Sequence, residues 1–229
     1  MSSKRYKKLP EKTITLNPET IEKILLNIKK NCTTKFDESV DLSFQINNKQ
    51  KKNEINIRTV VSLPGGTGKK IKVAVVCEES KVSEAKEAGA DIVGGDDFVE
   101  KIKNGNMNFE KLICTPAMMI KLSKLGKILG PKGLMPNPKL GSVTEDIKKA
   151  VSESKSGQAE IRNDKDGNIG VSIGKKSFSD EQLIKNYNAI IETLDKEKTN
   201  NTLKGDLIKS SFITSTMGVS YKLKLSKNI

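Results

Sequence analysis

Ile71-Lys72-Val73-Ala74-Val75-Val76 is the stretch on which the fold turns. It is a short apolar run, bounded by Gly68 and by the acidic Glu78-Glu79, and it reads as a buried strand. Ser80 to Ala88 then has helical spacing, and Gly89 stands where a helix would stop. Asp91-Ile92-Val93 is a second short strand, Asp96 to Lys103 a second helix, and Lys111 to Cys114 a third strand. A third helix is expected from Pro116 to about Leu129, with Met118, Leu122, Leu125 and Leu129 on one face. Strands that alternate with helices imply right-handed crossovers and a parallel sheet, hence a small α/β unit.

The pattern differs on both sides of this unit. Before it, Asn17-Pro18-Glu19 reads as a helix start, with Asn17 as N-cap and Pro18 in the first turn. Ile21, Ile24, Leu25 and Ile28 follow as one apolar face. Val40, Leu42, Phe44 and Ile46 alternate with polar residues, as do Ile55, Ile57 and Thr59 before Val61, with a polar, lysine-rich turn from Asn47 to Asn53 between them. After the unit, Ala159 and Ile161 are expected to pair with Ile169, Val171 and Ile173 in a hairpin across Asp166-Gly167. Ser179-Asp180-Glu181-Gln182 is a capping box that opens a helix carrying Leu183, Tyr187, Ile190 and Leu194. Phe212 to Thr214, and then Val219, Tyr221, Leu223 and Leu225, close the chain in strand-like alternation. Two α+β flanks around an α/β middle are most economically read as one discontinuous domain, residues 1–66 with 159–229, holding an insertion of residues 67–158. Separate domains are the alternative.

Lysine and arginine total 41 against 28 acidic residues, a net charge of +13 and a pI near 9.5, which predicts attraction to polyanions. Residues 67–158 carry 16 basic and 12 acidic residues, a net of +4, and the flanks carry 25 and 16, a net of +9. That surplus is too even to locate a binding face. Histidine is absent, which excludes an imidazole base and a histidine-ligated metal. Cys32, Cys77 and Cys114 are scattered, with no C-x-x-C pair, and read as reduced, buried thiols of a cytosolic protein. No apolar run approaches the roughly 18 residues of a membrane span. The basic N-terminus lacks the apolar segment of a secretory signal, so a cytoplasmic protein without membrane partners is expected.

Two glycine-rich segments invite functional readings. Pro64-Gly65-Gly66-Thr67-Gly68-Lys69-Lys70 resembles a phosphate loop, but Leu63 stands where the first glycine belongs and Lys70 replaces the magnesium-binding hydroxyl. An interdomain turn accounts for it better. Lys111 through Thr144 holds six lysines and no acidic residue. Within it, the glycines and prolines after Leu129 shape an ordered loop, either an RNA-contact surface or a solvated loop that packs Leu134 and Met135 on the helix.

That loop carries a family resemblance. Gly130-Pro131-Lys132-Gly133-Leu134-Met135-Pro136-Asn137-Pro138-Lys139 resembles the signature of the bacterial large-subunit ribosomal protein L-one family. Thr34 to Val40, Arg58 with Val61-Ser62-Leu63-Pro64, and Glu87 to Asp91 with Gly94-Gly95 are similar to other stretches of that family. So are Arg162-Asn163-Asp164-Lys165 and Ser215-Thr216-Met217-Gly218, and the match runs collinearly from about Lys4 to Leu225. The resemblance implies an α/β protein of two domains: a discontinuous α+β sheet domain built from both termini, and an inserted Rossmann-like α/β domain. It implies a non-catalytic constituent of the large ribosomal subunit with no cofactor and no metal. Such proteins bind 23S rRNA in the mobile stalk near the exit site and help deacylated tRNA leave. They commonly also repress their own operon by binding its mRNA.

The family's RNA-binding face maps onto Lys35, Phe36, Glu38 and Ser39, and onto Thr216, Met217 and Gly218. Lys35 can pair with a phosphate, the hydroxyls of Ser39 and Thr216 can bond a 2′-hydroxyl, and Phe36 and Met217 can lie against ribose or base faces. Gly218 lets backbone approach RNA closely. Without the resemblance, Phe36 reads rather as a core residue and Met217-Gly218 rather as a hairpin turn. Two positions depart from the family pattern: Ser39 replaces a usual threonine, and Val219 stands where proline is frequent. Two rival readings are a nucleotide enzyme using the α/β middle, disfavoured by the failed loop spacing, and a nonspecific basic binder, separable by competition with bulk RNA or DNA.

Overall fold

The computed structural model describes residues 15–47, 56–200 and 206–224. Its elements, in chain order, are β1 (Thr15–Glu19), α1 (Ile21–Asn31), β2 (Ser39–Ile46), β3 (Arg58–Ser62), β4 (Val73–Val76), α2 (Val82–Glu87), β5 (Ile92–Gly94), α3 (Asp96–Lys103) and β6 (Lys111–Cys114). They continue as α4 (Pro116–Ser123), α5 (Gly126–Leu129), α6 (Ile147–Lys155), β7 (Gln158–Arg162), β8 (Asn168–Lys175), α7 (Asp180–Asn200), β9 (Ile208–Ser215) and β10 (Tyr221–Leu223). The chain divides into two compact units, one of residues up to Gly68 together with those from Ala159, the other Lys69–Gln158.

In the first unit a five-stranded sheet runs β1-β10-β9-β2-β8, beside a two-stranded pair of β3 and β7. The strict alternation of β2 suits its place as an inner strand between β9 and β8. Val40, Leu42, Phe44 and Ile46 all point into the core, and antiparallel ladders to β8 and β9 satisfy both of its edges. Helix α1 packs on β9, β10 and α7, and α7 packs on β8 and β3. Ile24, Leu25 and Ile28 of α1 and Leu183, Ile190 and Leu194 of α7 are buried in this core. The capping box forms: Gln182 N donates to Ser179 Oγ (3.3 Å) and Ser179 N donates to Gln182 Oε1 (3.1 Å).

Two sequence expectations fail here. Asn17-Pro18-Glu19 does not start the helix; it belongs to β1, which lies parallel to β10 at the sheet edge, and α1 begins after Thr20. An edge strand tolerates proline because one side of it needs no ladder donor. The hairpin across Asp166-Gly167 also does not form as such. The turn is present, with Gly167 at φ 80° and Asn168 N donating to Asp164 Oδ1 (2.6 Å), but β7 pairs with β3 and β8 with β2. The two meet at an isolated bridge, Asn163 to Ile169. Turn residues fix where the chain reverses, whereas the partner strand is chosen by long-range burial. Ile55, Leu225, the N-terminal basic run and most of the turn from Asn47 to Asn53 lie outside the described residues.

The second unit is a three-stranded parallel sheet of order β5-β4-β6. All four residues of β4 are buried, because both faces of the strand are covered. Ala74 and Val76 belong to a core with Phe98, Ile102, Leu122 and Leu129, and Val73 and Val75 to another with Ala85, Ile147 and Val151. The expected third helix is broken into α4 and α5. The break falls at Lys124-Leu125, where Leu125 N bonds to Leu122 O in the tighter three-residue pattern. Met118, Leu122, Leu125 and Leu129 are nevertheless all buried. Helix α6 was not anticipated, although Ile147, Ala150, Val151 and Ser154 have helical spacing and Asp146 Oδ1 caps Lys149 N. The three cysteines are free and buried. No helix among the described residues is long and apolar enough to cross a membrane.

Candidate nucleic-acid interface

The two ends of the first unit are joined residue by residue. Val40 of β2 sits opposite Ser215 of β9, and beyond that pair the two loops stay linked. Thr216 N donates to Ser39 O (3.1 Å), and Ser39 N donates to Thr216 Oγ1 (3.0 Å). On the other edge Ser39 pairs with Lys175 of β8, whose Nζ donates to Ser39 Oγ (2.8 Å).

Glu38 lies beneath this junction with no solvent exposure. Its Oε1 accepts the Thr34 hydroxyl (2.6 Å) and its Oε2 accepts Met217 N (3.1 Å). The same Thr34 hydroxyl is 3.2 Å from Phe36 O. One carboxylate therefore ties the segment before β2 to the turn after β9. A buried carboxylate persists where hydrogen bonds replace its lost hydration. Asp37 is also tied down, accepting from Ser177 N (3.1 Å) and Ser177 Oγ (2.8 Å).

Above this scaffold Phe36 and Met217 are 53% and 47% exposed, large apolar side chains held in water at one junction. Lys35 and Thr216 are exposed, and Ser39 and Gly218 half-buried. Phe36 is thus not a core residue, and Met217-Gly218 does form the turn between β9 and β10, with Gly218 N donating to Ser215 O (3.2 Å). A Cβ built at Gly218 would fall on the buried Ser215 hydroxyl, so the turn requires glycine for space. Cys32 also lies in this layer; burial pushes its thiol up, against the lowering effect of the Ser215 hydrogen bond.

Of the seven residues singled out in the sequence, six line the surface and Glu38 lies under it. Sequence reasoning missed Lys175, Thr34 and the inward task of Glu38. Lys175 could have been found by aligning the alternation of β8 with that of β2, which puts it opposite Ser39. The hydroxyls of Ser39 and Thr216 are engaged within the chain, yet Ser39 Oγ keeps its proton and Thr216 Oγ1 a lone pair for an outside partner.

The other glycine-rich segments have structural explanations. Gly65 N donates to Asn186 Oδ1 (2.7 Å), and Asn186 Nδ2 donates to Gly66 O (3.0 Å) and Ile173 O (2.8 Å), so that turn is clamped to α7. Leu134 and Met135 pack against the core beneath α4 and α5, leaving Lys132 and Lys139 in solvent.

Comparison with known proteins identifies the relatives of this chain. The model of the ribosomal protein L1p/L10e family matches residues 28–219. The chain is 76% identical over all 229 residues to the large ribosomal subunit protein uL1 of Pelagibacter ubique (strain HTCC1062), covering 100% of both chains. It is 45% identical to the large ribosomal subunit protein uL1 of Prochlorococcus marinus (strain NATL1A), covering 98% of this chain and 95% of that one. The same-named protein of Rickettsia akari (strain Hartford) is 43% identical over 96% and 93%. Collinear identity across both units, together with the matched span, places this chain in the ribosomal protein L1p/L10e family.

Proposed function

We propose that this chain is a structural constituent of the large ribosomal subunit that binds 23S rRNA directly through the junction of residues 34–39 and 215–218. It is a ribosomal protein and not an enzyme, as the naming of its relatives indicates. The observation that carries the reading is the Glu38 clamp, which holds Phe36 and Met217 in solvent beside Lys35, Lys175, Ser39 and Thr216. A rigid apolar pair rimmed by cations and hydroxyls suits a folded RNA: lysines neutralise phosphates, hydroxyls meet 2′-hydroxyls, and the phenyl and thioether lie on ribose or base.

In this reading the discontinuous first unit, residues 1–66 and 159–229, is the RNA-binding domain, and residues 67–158 form an inserted Rossmann-like domain. The assembled protein stands in the mobile stalk near the exit site and assists release of deacylated tRNA. It also represses its own operon by gripping an mRNA element of the same shape. Footprinting on purified large-subunit RNA tests the first claim. One folded segment should be protected by the chain, and the protection should survive excess bulk RNA. Protection that is absent, or spread over the whole RNA and lost to competitor, contradicts it.

A further inference from the structure

The outward side of the helical layer formed by α4 and α5 has no part in the junction. Met118, Leu122 and Leu125 turn into the core, and Ile120 stands two residues after Met118, roughly 200° around the helix at 3.6 residues per turn. Its side chain is 73% exposed, more than Phe36 or Met217. Pro116 and Ala117, four and three positions before it, are exposed on the same face. Ser123 Oγ donates to Ile120 O (2.7 Å), which holds this backbone where the helix breaks.

A lone exposed apolar residue needs no explanation, but this one sits in a cationic frame. Lys124 follows at the end of α4, and Lys127 lies in α5. The loop after α5 folds back on that helix, Leu134 N donating to Leu129 O (3.0 Å), and carries Lys132 and Lys139. All four lysines are exposed, and among the described residues their ammonium groups make no hydrogen bond or ion pair. Lys121, on the flank, is already paired with Asp96 (2.6 Å).

The residue types on this face select its occupant. Between Lys111 and Thr144 there is no acidic residue, no arginine and no aromatic ring. RNA is read by aromatic or guanidinium planes that stack on bases and by guanidinium forks that grip phosphate, and this face has neither. Ammonium groups around an aliphatic centre match carboxylates around an aliphatic centre. We propose that the outward face of α4 and α5 docks an acidic amphipathic helix of a partner protein. The apolar stripe of that helix covers Ile120 and Ala117, and carboxylates on its flanks meet Lys124 and Lys127. Lys132 and Lys139 widen the positive field and speed the encounter. Every residue named lies in the second unit, so the site stands apart from the junction of residues 34–39 and 215–218.

Fluorescence anisotropy of the full chain tests this, with a labelled peptide of about 18 residues, or five helical turns, as the probe. The peptide carries leucines at helical spacing and glutamates elsewhere. A second peptide has serine in place of each leucine, and a single-stranded oligoribonucleotide is the third ligand. The wild-type chain should bind the leucine–glutamate peptide, and Ile120→Ser should bind it about tenfold more weakly through loss of the apolar anchor. Lys124→Ala/Lys127→Ala should also bind more weakly, with a shallower dependence on salt. Leu26→Ser on α1 and Lys101→Ala/Lys103→Ala on α3 are the matched apolar and charge controls, and both should bind as the wild type does. Urea midpoints should stay at the wild-type value, because the replaced side chains lie in solvent. Failure of the wild type to bind the leucine–glutamate peptide, equal binding of the serine peptide, or equal losses in the controls overturns the proposal. Oligoribonucleotide binding that the Ile120 and Lys124/Lys127 variants weaken, with peptide binding unaffected, assigns the face to RNA and overturns it as well.

Discussion

Glu38 shows how one buried side chain shapes the outside. Its two oxygens accept from Thr34 and from Met217 N, so drift of either loop breaks a hydrogen bond to a buried carboxyl group. Glu38→Ala should lower stability by about 1–3 kcal/mol, the cost of leaving buried donors without their acceptor. Glu38→Gln should cost less, since the Thr34 hydroxyl can turn to Phe36 O and accept from the new amide. Urea unfolding of both variants checks the ranking, and equal stability for all three proteins contradicts the clamp. Gly218→Ala should weaken RNA binding and stability together, because the added methyl displaces the buried Ser215 hydroxyl. The cysteines offer a simpler check. Burial raises the thiols of Cys32 and Cys77, and that of Cys114 to about 11. A thiol reagent at neutral pH should label the native chain far more slowly than the urea-unfolded chain; equal rates would mean that the core is open.

Among elements, α7 was the most legible in the sequence, because its cap and its apolar stripe point to the same boundaries. Ser179→Ala should cost about 1 kcal/mol through loss of the Gln182 N–H acceptor, read as a shift in the urea midpoint. The buried strand β4 was legible as an uninterrupted apolar run, and the alternation of β2 announced one covered face. What stayed hidden was partner choice. Asp166-Gly167 signals reversal but not that β7 leaves for β3, and Pro18 signals a helix start only if the edge position of β1 is unknown. The break between α4 and α5 was hidden for another reason: its four apolar residues point inward on either side of it. All seven residues named for the candidate face came through the family resemblance, though not the inward position of Glu38, while Lys175 joins them only through cross-strand register. At the start of β4, Val73 N donates to Asp91 Oδ2 (2.9 Å), and this bond, with Lys155 helping, lowers the Asp91 pKa. A lowered carboxylate stabilises the fold above its ordinary pKa and loses that contribution as pH falls through the folded value. Asp91→Ala should therefore flatten the acid limb of a stability–pH curve, and an unchanged limb contradicts this.

For the whole molecule, charge and topology act together. A net charge of +13 favours attraction to RNA, and the five-stranded sheet gives that attraction a shape to read. With no histidine, no side chain titrates at its ordinary pKa between about pH 5.5 and 7, so affinity should be flat there and fall steeply with salt. A flat salt response contradicts electrostatic binding. The separate stretches 34–39 and 215–218 become one surface only because β2 and β9 are neighbours in the sheet. The most direct test is a filter-binding titration of Thr216→Val and Met217→Ala on purified large-subunit RNA, with urea unfolding run alongside. The expected result is a loss of about 1–3 kcal/mol in affinity for each variant, with the fold intact. Wild-type affinity in both variants would contradict the proposal that this junction grips RNA.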